Sequence, residues 1–263
     1  MTYQQTYKVV ASDMDITYHI TPNAILLYFQ DCFARCLTEK RLAAFDVIKE
    51  NLVWMITELN FNFIGSRPLW SENIKVEIWF SEISSVRIYV NYRMYDSRGE
   101  VFVEGSSCWI IINYETKRPF PARERLTGAG YEEDESPVHE LKLPEMQKKE
   151  LFMEEEHLVN VMDLDFNGHV CNRSYLAIAM ATAPVDFVRK NVLKHLYIHF
   201  VREAFFKELL KCYVYKVDDS QQAFYHSILN SQGREICRIY SEWEAEEQEN
   251  RQDVADLIKR NLQ

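Results

Sequence analysis

No stretch of this 263-residue sequence approaches the ~20 consecutive apolar residues that a membrane-spanning helix needs. Glycine and proline are scarce, seven of each, too few for a collagen-like or low-complexity chain. Six cysteines occur (Cys32, Cys36, Cys108, Cys171, Cys212 and Cys237), but no Cys-x-x-Cys pair. That pattern speaks for free thiols and against a zinc site. Positive charge is also short: 30 Lys and Arg against 40 Asp and Glu leave a formal net charge of -10. Such a balance disfavours general binding to nucleic acid or to an anionic membrane, while leaving room for a local basic patch. The stretch Met1 to Lys8 has neither the apolar core of a signal peptide nor the Arg/Ser richness of a transit peptide, so the expected location is cytoplasmic. What the chain does hold is 47% hydrophobic and 13% aromatic residues, enough for one large or two ordinary domains with a real core.

The run from Met162 to Asn172 carries the densest chemistry. Asp165, Asn167 and His169 stand at every second position, and in an extended segment such residues share one face. Asn167-Gly168 offers a tight turn, and a helix-like run follows from Asn172. Polar groups delivered to the start of a helix suit the handling of a developing oxyanion, so this run reads as the active site of a hydrolase. Asp13-Met14-Asp15-Ile16-Thr17-Tyr18-His19-Ile20 repeats the pattern, with two carboxylates and a histidine in register.

The rest of the chain is organised around that repeat. Thr21-Pro22 is a good helix start, and 23–51 reads as mainly helical, with Ile25, Phe29, Cys32 and Cys36 as a buried stripe. Alternating residues then predict strands over 52–64, 74–80, 86–95 and 101–114. A helix followed by antiparallel strands is an α+β pattern in which the sheet can wrap the helix. The second half replays it: a helix over 172–190, then strands over 196–201, 210–217, 223–229 and 236–243. The expected organisation is a first unit over 1–118, a linker over 119–150, a second unit over 151–243 and a charged tail over 244–263 with a short helix near Val254 to Leu262. The two units are expected to pack as an internal pseudo-dimer. Whether that pseudo-dimer pairs again, as a homodimer, stays open.

The tandem pattern, together with Asp-Leu-Asp-Phe-Asn-Gly-His-Val at 163–170, Asn172-Arg173-Ser174-Tyr175, Val201-Arg202-Glu203-Ala204, Trp54 and the stretch 107–113, resembles the acyl-[acyl carrier protein] thioesterases of plants and bacteria. The resemblance implies a tandem (double) hotdog fold and hydrolysis of fatty acyl thioesters on an acyl carrier protein, with no metal or organic cofactor. It carries Asp165, Asn167, His169 and Glu203 over as catalytic residues. Plant members place a cysteine directly after the glutamate, where this chain has Ala204, so the resemblance favours a carboxylate and a water over a thiol nucleophile.

Thioester hydrolysis needs an activated water and donors for the tetrahedral oxyanion. Glu203 or Asp165 can take the water's proton, Asn167 can orient the water or the carbonyl, and His169 can share the proton network. The backbone N–H groups of Gly168 and Val170 are the expected oxyanion donors. Thr17 replaces the asparagine in the first half, and Ser66 is expected where Glu203 stands, so that half reads as catalytically spent. Its expected task is to line the acyl pocket through Ile25, Phe29, Trp54 and Met55. Docking of an acidic carrier is assigned to Lys190, Lys194, Arg202 and Lys207.

Several blander assignments compete. Asp163-x-Asp165-x-Asn167-Gly168 imitates a calcium loop, but its twelfth position is Ser174 rather than glutamate. Asp163 is better read as a turn cap, and Cys171 as a passive thiol. The rival functions are an acyl-CoA thioesterase and an acyl-binding module without catalysis. A hydratase fits less well, because its acid–base pair has an Asp-to-His spacing one residue longer.

Overall fold

The computed structural model describes residues 2–131, 141, 150–217 and 222–245. Its first unit runs β1 (Thr2–Lys8), α1 (Pro22–Glu39), α2 (Ala44–Val47), β2 (Leu52–Phe63), β3 (Asn73–Ile83), β4 (Arg87–Tyr95), β5 (Val101–Asn113), β6 (Arg118–Pro119) and α3 (Arg123–Gly128). The second runs β7 (Leu151–Leu158), α4 (Asn172–Ala181), α5 (Val185–Lys190), β8 (Asn191–Phe200), β9 (Leu209–Lys216), β10 (Ala223–Leu229) and β11 (Glu235–Ala245). Single 3-10 turns occupy Ala11–Asp13, Ile48–Glu50 and Val161–Asp163.

Among the described residues the strands form one antiparallel sheet in the order β1-β3-β4-β5-β2-β8-β11-β10-β9-β7, with β6 beside β5. The order reads outward identically from its centre, where β2 of one unit pairs with β8 of the other from Glu58↔His199 to Asn62↔His195. This is the expected α+β tandem, with the two sheets joined edge to edge so that neither inner edge is left unpaired.

Helix α1 starts where the sequence places it: the Thr21 hydroxyl accepts from the Ala24 amide at 3.1 Å, and Pro22 fills the first helical position. Its stripe of Ile25, Phe29, Cys32 and Cys36 is buried under the sheet, with Phe29 on Tyr92 of β4 and Phe33 on Trp109 of β5. Helix α4 lies correspondingly against β10 and β11.

Four expectations need correction. The helix predicted over 23–51 ends at Glu39, because Arg41 turns left-handed (φ 56°) and the amide of buried Leu42 reaches back to the Leu37 carbonyl at 2.9 Å. That is a Schellman stop made without glycine. The helix predicted over 172–190 is broken at Pro184, which caps α5. The start of the expected linker is folded onto the first unit: Ala122, Leu126 and Tyr131 are buried, and the Tyr131 hydroxyl donates to the Cys36 carbonyl at 2.6 Å. The fourth concerns 165–169, a turn rather than a strand, treated below. The acidic part of the linker and the tail helix near Val254 to Leu262 lie outside the described residues.

Candidate active site

The turn at 165–169 is held by Asp165. Its Oδ1 accepts from the amides of Asn167 (2.8 Å) and His169 (3.2 Å), and its carbonyl accepts from Gly168 (3.0 Å). The Asn167 carboxamide donates to Oδ2 at 3.3 Å, and the Asp165 amide closes the loop onto the His169 carbonyl at 2.8 Å. An aspartate that gathers its own downstream amides competes with strand pairing, which is why the segment turns. Gly168 supplies the left-handed residue that the turn requires, at φ 78°.

Asp163 anchors this turn from behind. Its buried carboxylate accepts from the Asn160 amide and carboxamide at 2.9 and 2.7 Å and faces His157 Nε2 at 2.8 Å. Burial opposes its ionisation, but those partners prevail and hold the carboxyl below its ordinary range. It is a structural cap, as the sequence suggests. The Cys171 thiol sits 3.2 Å from the Ser174 hydroxyl, which places it in the start of α4.

Two elements bring the remaining groups together. The Val170 amide donates to the Ala204 carbonyl at 2.9 Å, clamping the turn against the segment after β8. This clamp sets Nδ1 of His169 3.3 Å from Oε1 of Glu203, both half-buried, with the Phe205 ring edge-on to the imidazole at 5.2 Å. Ala204 is fully buried and does not line the cavity beside these groups, so a side chain at this position faces the core.

A cavity of about 540 Å³ opens beside them. Asp165, Asn167, His169 and Glu203 of the second unit line one part of it, and Trp54, Met55, Trp109 and Ile110 of the first unit line another. Seven of the site residues expected from the sequence, Val170 among them, therefore share one cavity drawn from both units. Ile25 and Phe29 do not: both are fully buried beneath their own sheet and line none of it.

The expected oxyanion donors are corrected as well. The Gly168 amide is spent on the Asp165 carbonyl and the Val170 amide on Ala204, so neither points at a substrate. The first residue of a helix has no intrahelical acceptor for its N–H, and here that residue is Asn172, which lines the cavity. The sequence places Asn172 in the family motif but marks no role for its amide. The sequence reading also passed over Trp109 and Lys117 on the cavity wall. Of the expected docking cations, Arg202 borders the cavity, but Lys190 and Lys194 sit at the far end of β8, roughly 30 Å away at ~3.3 Å per residue.

The first unit builds the same turn with other contents. The Asp15 amide donates to the His19 carbonyl at 2.9 Å, the Thr17 amide to Asp15 Oδ1 at 2.7 Å, and the Ile20 amide to the Pro68 carbonyl at 3.0 Å. One extra residue follows β2, so Ser66 and Arg67 span what Glu203 spans alone. Ser66 is exposed, and Arg67 is the one that reaches inward: its Nη1 lies 2.8 Å from both Asp15 Oδ2 and the Ile20 carbonyl. Burial opposes ionisation of Asp15, yet Arg67 and Thr17 together hold its carboxyl below the ordinary range.

Among the described residues no three His, Cys, Asp or Glu side chains converge as metal ligands would. What the second-unit arrangement can do is hold a water against a carboxylate paired with an imidazole, on a cavity that the first residue of α4 also lines.

Comparison with known proteins gives this geometry a lineage. Residues 1–127 match the acyl-ACP thioesterase N-terminal domain, and residues 146–245 match the acyl-ACP thioesterase C-terminal domain. A palmitoyl-acyl carrier protein thioesterase of Arabidopsis thaliana is 26% identical over 165 residues, which is 60% of this chain and 40% of the relative. The matched stretch thus spans half or less of the curated relatives' length. A solved acyl-ACP thioesterase from Bacteroides thetaiotaomicron superposes with a TM-score of 0.83 at 17% identity, over 92% of this chain and 98% of its own. The 12:0-ACP thioesterase of Umbellularia californica superposes at 0.81 with 16% identity, over 93% and 98%. At such identities the superpositions speak to the fold alone.

Proposed function

This chain belongs to the acyl-ACP thioesterase family, and from that premise we propose that it hydrolyses fatty acyl thioesters carried on acyl carrier protein. The observation that carries the reading is the pairing of Glu203 with His169 at 3.3 Å on a cavity whose apolar wall comes from the other unit. Acyl chain and thioester can then be held by different halves of the molecule, the chain against Trp54, Met55 and Trp109, the thioester beside the turn.

Glu203 is the better base of the two carboxylates, because Asp165 is occupied by two backbone amides and the Asn167 carboxamide. In the proposed reaction Glu203 takes one proton from a water while the water oxygen bonds to the thioester carbon. His169 holds that water or relays the proton, and Asn167, fixed by Asp165, offers the rest of its carboxamide. The carbonyl oxygen becomes an oxyanion facing the Asn172 amide. Collapse breaks the carbon–sulfur bond, the thiolate recovers the proton, and a fatty acid and the free carrier thiol leave. A thiolate is a good leaving group, so no strong general acid is needed. The carrier partner and the cytoplasmic setting belong to this proposal as well.

The test is turnover on matched acyl-ACP and acyl-CoA thioesters, with Glu203→Gln as the control. The expected result is faster hydrolysis of the ACP thioester and a loss of roughly 10²–10⁴-fold in Glu203→Gln. Equal or faster CoA turnover overturns the choice of carrier, and full activity in Glu203→Gln overturns the base.

A further inference from the structure

The pseudo-symmetry of the fold leaves a second cavity, on the side of the molecule where the first unit's turn faces the second unit's sheet. It encloses about 710 Å³, within the usual range for small-molecule sites. Its walls correspond to those of the catalytic cavity. Trp243, whose indole donates to the Ser241 hydroxyl at 3.2 Å, stands where Trp109 donates to Ser107 at 2.9 Å, and Leu193 opposite Trp243 stands where Ile56 lies opposite Trp109. Leu27, Met180 and Val188 complete an apolar lining.

The polar end has been rebuilt so that it cannot hydrolyse. Thr17 stands for Asn167, and Arg67 brings a cation where Glu203 brings a carboxylate. Pro22, which lacks an N–H, replaces Asn172 at the helix start. Two carboxylates, Asp13 and Asp15, and two guanidinium groups, Arg67 and Arg173, line this cavity, and both carboxylates already have partners. Asp15 and Arg67 neutralise each other, and Arg67 spends only Nη1 on that pair and the Ile20 carbonyl. Asp13 is answered by the Tyr28 hydroxyl and the Val10 amide. Arg173, exposed on the first turn of α4, lines the cavity, and among the described residues no carboxylate pairs with it. The Asn23 carboxamide beside this wall has a buried oxygen without a donor among the described residues. Inward, a small apolar cavity of about 50 Å³ shares Met180, Ala183 and Trp243 with the larger one and ends near His226, whose Nδ1 is buried without a partner.

We propose that this cavity is a second, non-hydrolysing binding site for a long-chain carboxylate anion, with its head at Arg67 and Arg173 and its tail along Leu193 and Trp243. The ligand has the chemistry of a thioesterase product, but its binding follows from this cavity and stands whether or not the catalytic cavity works as proposed above.

Calorimetric titration of the full chain with dodecanoate, kept below its micelle-forming concentration, tests it. The wild type is expected to bind two dodecanoates. Ala177→Trp, a filling change at an exposed position on the cavity wall, is expected to leave one. Arg173→Gln is expected to weaken that same site roughly tenfold, the loss of one charge-assisted contact. Met55→Trp, which fills the catalytic cavity, is expected to remove the other molecule and spare this one. No dodecanoate bound, or binding that Ala177→Trp leaves unchanged whether one molecule or two, overturns the site. Equal affinity for dodecanol overturns the anionic head. A chain that binds dodecanoate in an Ala177→Trp-sensitive site yet cleaves no acyl-ACP keeps this inference and loses the function above, whereas a chain that cleaves acyl-ACP and binds no dodecanoate that Ala177→Trp removes does the reverse.

Discussion

The two turns of this molecule have nearly the same backbone and opposite electrostatics. In each, an aspartate gathers the amide two residues on, and the residue after the histidine donates its amide to the strand-end segment of its own unit. In one, the neighbouring segment presents Glu203 to an imidazole; in the other it presents Arg67 to the aspartate itself. The comparison teaches that the turn is a mounting and that its occupants decide the use. Arg67 holds the Asp15 carboxyl below its ordinary range, whereas Glu203 faces an imidazole. The second teaching concerns a single hydrogen. Thr21 and Cys171 have the same backbone angles before their helices (φ -71°, ψ 152°), but Pro22 follows one and Asn172 the other.

That last difference can be broken directly, with the largest expected effect. Asn172→Pro copies the first unit's helix start at a position whose geometry already accepts proline, and it deletes one N–H. If that amide receives the oxyanion, kcat falls by about 10²–10³-fold while the melting temperature stays near wild type. Asn172→Ala, which removes the side chain and keeps the N–H, is the control and is expected to retain most activity. Equal losses in the two variants shift the role to the carboxamide.

Stability separates the turns the other way. The Asp15 and Arg67 side chains are 17% and 10% exposed, so Arg67→Met strands a mostly buried carboxylate and is expected to cost roughly 3 kcal/mol at neutral pH. The folded carboxyl is held below its ordinary value, so the pair's contribution is full above the unfolded value of about 4 and is lost as the pH falls through the folded one. In denaturant titrations the gap between wild type and Arg67→Met therefore closes toward acid. Glu203→Met, which removes a half-buried group from a half-buried imidazole, is expected to change stability by no more than about 0.5 kcal/mol. A large loss there would make the second turn structural too.

Much of this was legible in the sequence, and the failures have physical causes. Alternation of Ile74, Val76, Ile78 and Phe80 gives β3 because one face of that strand meets the core, and Thr21-Pro22 gives the start of α1 because both residues act locally. The meeting of Asp165, Asn167, His169 and Glu203 followed from the repeat and the family motif. The alternate polar spacing misled, since an aspartate that captures its own amides bends a segment that periodicity reads as straight. Gly168 fails as an oxyanion donor because its amide goes to the Asp165 carbonyl, and Val170 because its amide goes to Ala204; hydrogen-bond commitments of that kind leave no mark on residue type. Arg67 was hidden by one inserted residue, which pointed to Ser66 when positions were counted from the strand. Ile25 and Phe29 were placed on the acyl wall because a buried stripe looks the same whether it lines a cavity or a solid core.

The smallest effect lies at the mouth of the catalytic cavity. Phe166, between Asp165 and Asn167, stacks at 5.4 Å on Phe45 of α2, and the two are 70% and 73% exposed. Its counterpart on the first turn, Ile16, is aliphatic and exposed, so it makes no ring–ring contact. The pair links the units beside the Glu203 cavity, and two exposed rings in contact save little water-facing area, so the coupling must be small. A double-mutant cycle of Phe45→Ala and Phe166→Ala is expected to give about 0.5 kcal/mol in stability, at the low end for aromatic pairs. Because the contact steadies the turn that fixes Asn167, either single variant should raise KM for acyl-ACP more than it lowers kcat. A coupling of zero with unchanged KM would mean that the rings merely lie side by side and that the catalytic turn, like its spent twin, is held from its own unit alone.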